Sequence, residues 1–485
     1  MDFYLGVDMG TSSIKATVAD EECRIIDRVT LPSELINPRD GFYEVDPVET
    51  WWKGFTEICL YMGQRMDLEN ISGICISSVC GSFVPVSKDL DPMYNAVLYG
   101  IDRRSEPQVE RMNFEMGEYL ASNMGGLFTT HSVIPKILWF RENLPEIYDR
   151  TAYFVESNNF VSSRLTGTVK WDYPTAAGSK MVDFKNLALP APVMERYSLD
   201  SRKLPPFGWP VNRLGTVTPA AAAVTGLKAG TPVAVGGCDV NAEAMSLRAV
   251  HPGDMILVFG STLSILLTTD RYAEPEGFVP GMSLLENTYR IGAATSSGGK
   301  YLKWFRERLD CHRGENITPS NIPTGIMILP YLDGARTPFN DPEASLSILG
   351  LKSGHSGLDI YRGAMESLGY ELDLLFRKMA REYPLPAVID VTGGLSNDLG
   401  LMKTISDITG RNLRIHRGVD ASFGDALLAM MDESDLAEIE IKKGMEELAA
   451  MQEYVEPDLG MSKLYEPLRN KYRRICGPVM EIMKA

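Results

Sequence analysis

A mixed α/β chain of two domains is what this sequence predicts, and three observations carry the prediction. The first is size: 485 residues with 44% hydrophobic content can bury two cores, because a single core stops growing at about 250–300 residues. The second is a shared local shape, an apolar strand, a tight turn of Gly, Ser and Thr, then a second strand. It occurs at Phe3 to Val18 and again at Met255 to Thr268, about one half-chain apart, as an internally duplicated architecture would place it. The third is the alternation of strand and helix periodicities between and beyond these segments.

Taken in order, Pro47 to Met62 has helical spacing, Ile71 to Ser77 and Phe83 to Val86 are short apolar strands, and Glu106 to Ala121 and Pro135 to Asn143 are again helical. Leu204 to Thr218, rich in Pro and Gly, reads as a loop crossing. A short alanine-rich helix follows, then Gly230 to Val235 as a buried strand. The domain boundary is expected near residue 245, giving domains 1–245 and 246–485. Gly363 to Arg381 and Asn397 to Thr409 are expected as helices with the strand Val388 to Thr392 between them, and Lys463 to Lys484 as a closing amphipathic helix.

A net charge of -16 argues against nucleic acid as a partner, since phosphate backbones are held by clustered Lys and Arg. The seven cysteines include no Cys-x-x-Cys pair, and the five histidines lie far apart, so neither a disulfide framework nor a transition-metal site is expected. Met1 to Asp8 enters a strand with no basic region or cleavage site, and Ile256 to Leu267, the richest apolar run, is broken by Gly260, Ser261 and Thr262. A cytoplasmic protein without a membrane span is expected.

Within Gly6-Val-Asp8-Met-Gly10-Thr11-Ser12-Ser13-Ile-Lys15, a glycine turn lets backbone N–H groups and the Thr11 and Ser12 hydroxyls converge on phosphate oxygens. Asp8 beside it suits a hydrated Mg²⁺, which takes few protein carboxylates. An ordinary hairpin with a capping Asp reads equally well for this turn alone. A second turn of the same chemistry, Gly260-Ser261-Thr262, favours a site gripping a triphosphate. Neither a P-loop nor a dinucleotide fingerprint is present.

Val233 to Asp239 brings a carboxylate after a buried strand and the pair Gly236-Gly237, which suits a general base for an attacking hydroxyl. A helix N-cap is the alternative. Asp102 with Arg104 can bind vicinal hydroxyls, or form a solvated ion pair. Gly393-Gly394-Leu-Ser-Asn397-Asp398, between strand and helix, can let an adenosine lie flat on backbone, although such turns are also common for purely structural reasons. Gly424-Asp425-Ala426 opens another helix.

These motifs, with Tyr99 to Ser105, Lys136-Ile-Leu-Trp139, Ser297 to Trp304 and Leu329 to Pro338, make a set whose order and spacing resemble the FGGY family of carbohydrate kinases over nearly the full length. The resemblance implies two ribonuclease-H-like (actin-type ATPase) domains flanking a deep catalytic cleft that closes on its ligands. Sugar would bind mainly to the first domain and ATP mainly to the second.

By matching position, Asp8 and Asp239 would hold Mg²⁺, and Asp239 would be the base. Thr11, Ser12, Gly260, Ser261 and Thr262 would meet the phosphates, and Gly299, Gly393, Gly394, Asn397 and Asp398 the rest of the ATP. Asp102, Arg104 and Asn159 would join Asp239 in binding the sugar. The general pattern lies nearest the xylulose kinases, whose Gln-Met-His segment is replaced here by Ser78-Val79-Cys80-Gly81. A ketopentose such as xylulose is the expected acceptor, with another ketose, polyol or sugar acid as the alternative. An actin- or chaperone-like ATPase and a non-catalytic sugar sensor are rivals from other classes. A homodimer is compatible with the family, and the sequence offers no interface for one.

Overall fold

The first twenty residues set the topology. Leu5, Val7 and Met9 are buried on β1 (Phe3–Met9), and Gly10 to Ser12 turn the chain into the antiparallel β2 (Ser13–Asp20), with Asp8 opposite Lys15. β3 (Ile25–Pro32) extends the meander, whereas β4 (Ile71–Ser78) runs parallel to β1 on its other side. β5 (Arg213–Thr216), β6 (Pro232–Ala234) and the short β7 (Gly237–Cys238) complete a seven-stranded sheet. Its order is β5-β6-β4-β1-β2-β3, with β6 and β7 both parallel to β4.

The same rule is then written a second time. Met255–Phe259 (β8), Leu263–Thr269 (β9), Val279–Met282 (β10), Tyr289–Thr295 (β11), Val388–Thr392 (β12), Asn412–Ile415 (β13) and Glu453–Val455 (β14) form a sheet of order β10-β11-β9-β8-β12-β13-β14. β8, β9 and β11 are antiparallel neighbours, β12 is parallel to β8, and β13 is parallel to β12. Three antiparallel strands whose first member continues into parallel neighbours is the ribonuclease-H-like pattern, and the chain contains it twice.

A computed structural model gives these coordinates and describes residues 2–184, 186–309, 322–431 and 452–483. Within them, 2–250, 281–287 and 418–431 make one compact unit, and 251–280, 288–417 and 452–483 make a second. A single cut near 245 therefore leaves out two later segments of the first unit. The larger one holds the helix Ala421–Met430, which packs on β1, β2 and β4. Each unit has its own core, around Val7, Ile14, Phe55 and Ile76 in the first and around Leu257, Ile265, Leu368 and Ile405 in the second.

Local chemistry explains most element boundaries. The helix Gly357–Glu382 begins at a capping box between Ser356 and Asp359. The helix expected from Asn397 starts at Leu399 instead, because Asp398 caps it by accepting from the Leu401 N–H at 3.0 Å, and Gly394–Asn397 is a separate 3₁₀ turn. Leu204 to Thr218 differs from the expected loop: Arg213–Thr216 is a strand at the sheet edge, with a register shift between Arg213 and Gly215. The closing helix spans Leu459–Met483, and Lys484 lies outside the described residues. Among the described residues no helix is long and apolar enough to cross a membrane.

Candidate active site

In the first unit, the C-terminal ends of three parallel strands converge. Ser77 of β4 stands level with Asp8 on one side and Gly237 on the other, and Ser78 stands level with Met9 and Cys238. Asp8 and Asp239 are thus delivered to the same edge of the sheet from strands flanking β4. Two close approaches fix that arrangement. A Cβ on Gly6 would lie 2.1 Å from the Ser422 carbonyl oxygen, and one on Gly424 would lie 1.8 Å from that of Ala242. Glycine at both positions lets the helix Ala421–Met430 wedge between β1 and the helix that Asp239 opens.

Asp239 is the first residue of the helix Asp239–Ser246, and Cys238 occupies the N-cap position. The capping alternative is therefore replaced by a carboxylate inside the first turn, where the helix dipole favours its charge. It is half-buried, and its Oδ1 accepts from the Val240 N–H at 2.7 Å. One turn on, Glu243 projects from the same face. Burial, reinforced by Asp239 and opposed by Lys15, pushes Glu243 up to about 7. Burial and then Asp239 push Asp8 up to about 8, again against Lys15, with Asp420 and Glu243 adding to the rise. Lys15 lies 3.8 Å from Asp420.

Four carboxylates share one lysine here, and the Asp8 Oδ1 is buried with no hydrogen-bond partner. Such an orphaned oxygen in a negative field fits a hydrated divalent cation, which needs one or two carboxylates and keeps its waters. Among the described residues no group of three or more His, Cys, Asp or Glu has the geometry to hold a metal, and Cys311 and His312 lie outside them. Behind the site, Asp425 is fully buried and accepts from Ser77 Oγ at 2.6 Å and from Cys75 Sγ at 3.6 Å, and burial raises it well above the carboxylate range.

Asp102 and Arg104 form a buried ion network. Arg104 Nε and Nη2 donate to Asp102 at 2.8–3.0 Å, Nη2 also reaches Glu44 at 2.8 Å, and Asp102 Oδ2 accepts from the Tyr43 N–H. The solvated ion-pair alternative does not hold, because both side chains are buried. The guanidinium sits over Phe42 and Trp139, and Lys136 donates to the carbonyls of Leu98 and Tyr99. The Lys-Ile-Leu-Trp motif thereby braces the 98–104 loop. Arg104 Nη1 is the one buried nitrogen of the fork without a partner. Asn159, also buried, spends its amide on the Val235 carbonyl at 3.1 Å, and Ser78 Oγ pairs with Ser157 Oγ at 2.5 Å.

The second unit gathers backbone instead of acids. Gly260 donates to the Thr262 carbonyl at 2.9 Å, leaving Ser261 and Thr262 exposed, just as Gly10 donates to Ser13 at 3.0 Å and leaves Ser12 exposed. The Gly299 N–H donates to the Gly260 carbonyl at 2.9 Å and opens the helix Gly299–Arg308. Gly393 takes φ +98° and comes so close to Phe259 that a Cβ would lie 2.4 Å from its carbonyl oxygen, while Gly394 faces open space. The Gly260, Gly299 and Gly393 segments thus form one ledge of exposed backbone and hydroxyls. Asn397 is exposed on it, and Asp398 is occupied as the cap described above. Such a ledge suits phosphate oxygens and a flat ring.

Sequence reasoning reached Asp8, Asp239 and all three parts of the ledge. It missed Glu243, whose signal was its four-residue spacing from Asp239, and also Asp420 and Glu44, which carried no local signal.

A profile described as the FGGY family of carbohydrate kinases, N-terminal domain, matches residues 3–246, and its C-terminal counterpart matches 255–433. A xylulose kinase of Bacillus subtilis is 25% identical over 447 residues, covering 88% of each chain. Among solved structures, a xylulose kinase from Rhodospirillum rubrum superposes with a TM-score of 0.89 at 21% identity, covering all of both chains. A gluconate kinase from Lactobacillus acidophilus gives 0.87 at 19%, covering 99% of this chain and 98% of that one. At these identities the superpositions speak for the fold alone, a pair of actin-like domains.

Proposed function

The chain belongs to the FGGY family of carbohydrate kinases, which phosphorylate sugars with ATP, and we propose that its acceptor is a ketopentose such as xylulose, with Asp239 as the base. The observation that carries the assignment of the base is the delivery of Asp8 and Asp239 to one sheet edge in a shared field, with Asp239 the carboxylate at a helix start. An acid so placed can orient a sugar hydroxyl and take its proton as the oxygen attacks phosphorus.

The remaining residues divide the labour. Asp8 and Asp239 would hold Mg²⁺, which when bound neutralises charge on the transferring phosphoryl group. The Thr11 and Ser12 hydroxyls and the Gly260-Ser261-Thr262 turn would grip phosphate oxygens through donors that need no reorganisation. Gly299, Gly393, Gly394 and Asn397 would seat the nucleoside, with Asp398 holding the helix behind them. On the sugar side, Arg104 Nη1 is the donor with capacity left for a substrate hydroxyl, while Asp102 and Asn159 would act by fixing the loop and strand around it.

The relatives' names support xylulose. A second reading, another ketose, a polyol or a sugar acid, is favoured by the segment Ser78-Val79-Cys80-Gly81, which stands in place of the Gln-Met-His of xylulose kinases and has its Ser78 hydroxyl committed to Ser157. The test is ADP release from Mg-ATP across ketopentoses, hexuloses, polyols and sugar acids, with a sugar-free control. Xylulose alone stimulating turnover is the expected result. A different acceptor would sink the ketopentose assignment, and sugar-independent release would sink the kinase mechanism.

A further inference from the structure

The parallel strands β8, β12 and β13 end side by side, at the Gly260 turn, at Gly393-Gly394 and at His416-Arg417 respectively. His416 N–H donates to the Val391 carbonyl at 2.9 Å, holding the third end against the second. From that end the Arg417 guanidinium reaches in two directions. Nη1 donates to Asn397 Oδ1, and Nη2 donates to Glu453 Oε2 on β14 at 2.8 Å. Asn397 in turn donates one Nδ2 hydrogen to the Gly394 carbonyl at 3.1 Å.

A carboxamide has one oxygen that accepts and one nitrogen with two hydrogens to donate, and a guanidinium only donates. Turning the Asn397 amide over would set its NH₂ against the Arg417 NH₂ and its oxygen against the Gly394 carbonyl, losing both bonds. The orientation is therefore fixed, with one Nδ2 hydrogen left over on an exposed residue of the ledge. We propose that Arg417 is a positioning residue that locks Asn397 so that it offers the nucleotide a hydrogen-bond donor, directed at an acceptor atom of the nucleoside. The proposal rests on reading the ledge as the nucleotide site.

Arg417 and Glu453 have side chains 35% and 39% exposed, so substitutions there leave the core intact. Calorimetric titration of ATP and steady-state kinetics provide the test. Arg417→Met frees the amide to turn, and Kd and KM for ATP are expected to rise about tenfold, the worth of one hydrogen bond of roughly 1.4 kcal/mol. The turnover number and the sugar KM stay unchanged, and Arg417→Lys recovers part of the loss. Asn397→Asp keeps the bond to Arg417 but removes both Nδ2 hydrogens, the one given to the Gly394 carbonyl and the free one, and puts an acceptor where the nucleoside would meet a donor, so it is expected to weaken ATP binding more than Asn397→Ala does.

ATP binding within twofold of wild type in Arg417→Met would overturn the proposal, as would Asn397→Asp binding better than Asn397→Ala. A fall in the melting temperature with kcat and both KM values changing together would assign Arg417 a structural role instead. Wild-type protein that binds no ATP would overturn the nucleotide reading itself, and is told apart from the other failures because it precedes any variant.

Discussion

Two units with one topology have turned the same corner to different chemistry. After β1 and after β8 the chain makes a glycine turn with exposed hydroxyls, closed by a backbone bond of 3.0 Å in one and 2.9 Å in the other. Two residues before the glycine, the first unit has Asp8, level with Lys15 and Ser77, and the second has Val258, level with Ser264 and Thr392. That position decides whether the strand ends present charge. Asp239 and Glu243 reinforce the carboxylate in the first unit, whereas the second offers neutral donors from the exposed Ser261, Thr262 and Asn397. A shared backbone supplies the place, and a few side chains at strand ends decide whether it carries carboxylates or neutral hydroxyls and amides.

The strongest attempt to break this contrast is Asp239→Asn, which removes the carboxylate proposed as the base and keeps the shape. Phosphoryl transfer should drop about 10²- to 10⁴-fold, with ATP affinity held by the second unit within about twofold, as read by rapid kinetics and calorimetry. Near-normal turnover would mean that the base lies elsewhere. Asp8→Asn should raise the Mg²⁺ concentration for half-maximal rate by more than about tenfold, with the rate largely recovered at saturating metal. An unchanged metal requirement would remove Asp8 from the cation site.

Val258→Asp transplants the first unit's charge to the second. At a half-buried position beside the turn proposed to hold phosphates, it should weaken ATP binding about tenfold at low ionic strength, with the loss shrinking as salt is added. No effect would place the phosphates away from the Gly260 turn.

The smallest expected effect concerns one of the second unit's buried acids, Glu371, which burial pushes from 4.5 up to about 8. A folded-state value raised this far means that the native protein keeps a proton that the unfolded chain gives up above about pH 4.5. The stabilisation is complete below that pH and is lost as pH climbs towards 8. Glu371→Gln, which has no proton to lose, should melt about 2–4 °C higher than wild type at pH 8 and close to it at pH 5. Mg²⁺ should leave this difference unaltered, whereas it should act at Asp8. A gap that Mg²⁺ closes would blur the division between the two units.

The hairpins were legible because their signal is local: apolar alternation, a glycine, then alternation again. Asp8 and Asp239 were legible as carboxylates at strand ends. What escaped the sequence were distant partners. Asp102 and Arg104 looked like a surface pair because Glu44, Phe42 and Trp139, which enclose them, lie some sixty residues before and thirty-five after. Arg213–Thr216 looked like a loop because Pro and Gly are also tolerated at a sheet edge. The three segments of the first unit could not be foreseen, since Gly6 and Gly424 show their purpose only once the helix Ala421–Met430 meets β1 at one and the helix Asp239–Ser246 at the other.

That last arrangement bears on how the protein is made. Phe423 and Leu428 of the helix Ala421–Met430 are buried in the first unit, yet they are translated after the larger part of the second. A ribosome that has released only the first 250 residues has therefore exposed a sheet whose β1 face is still uncovered. The nascent chain must wait for nearly two hundred further residues before that face closes, a window of about 10–40 s at 5–20 residues per second. Chaperone dependence and premature termination products should both report on this interval, and a fragment ending at residue 250 should aggregate unless a peptide spanning residues 418–431 is supplied with it.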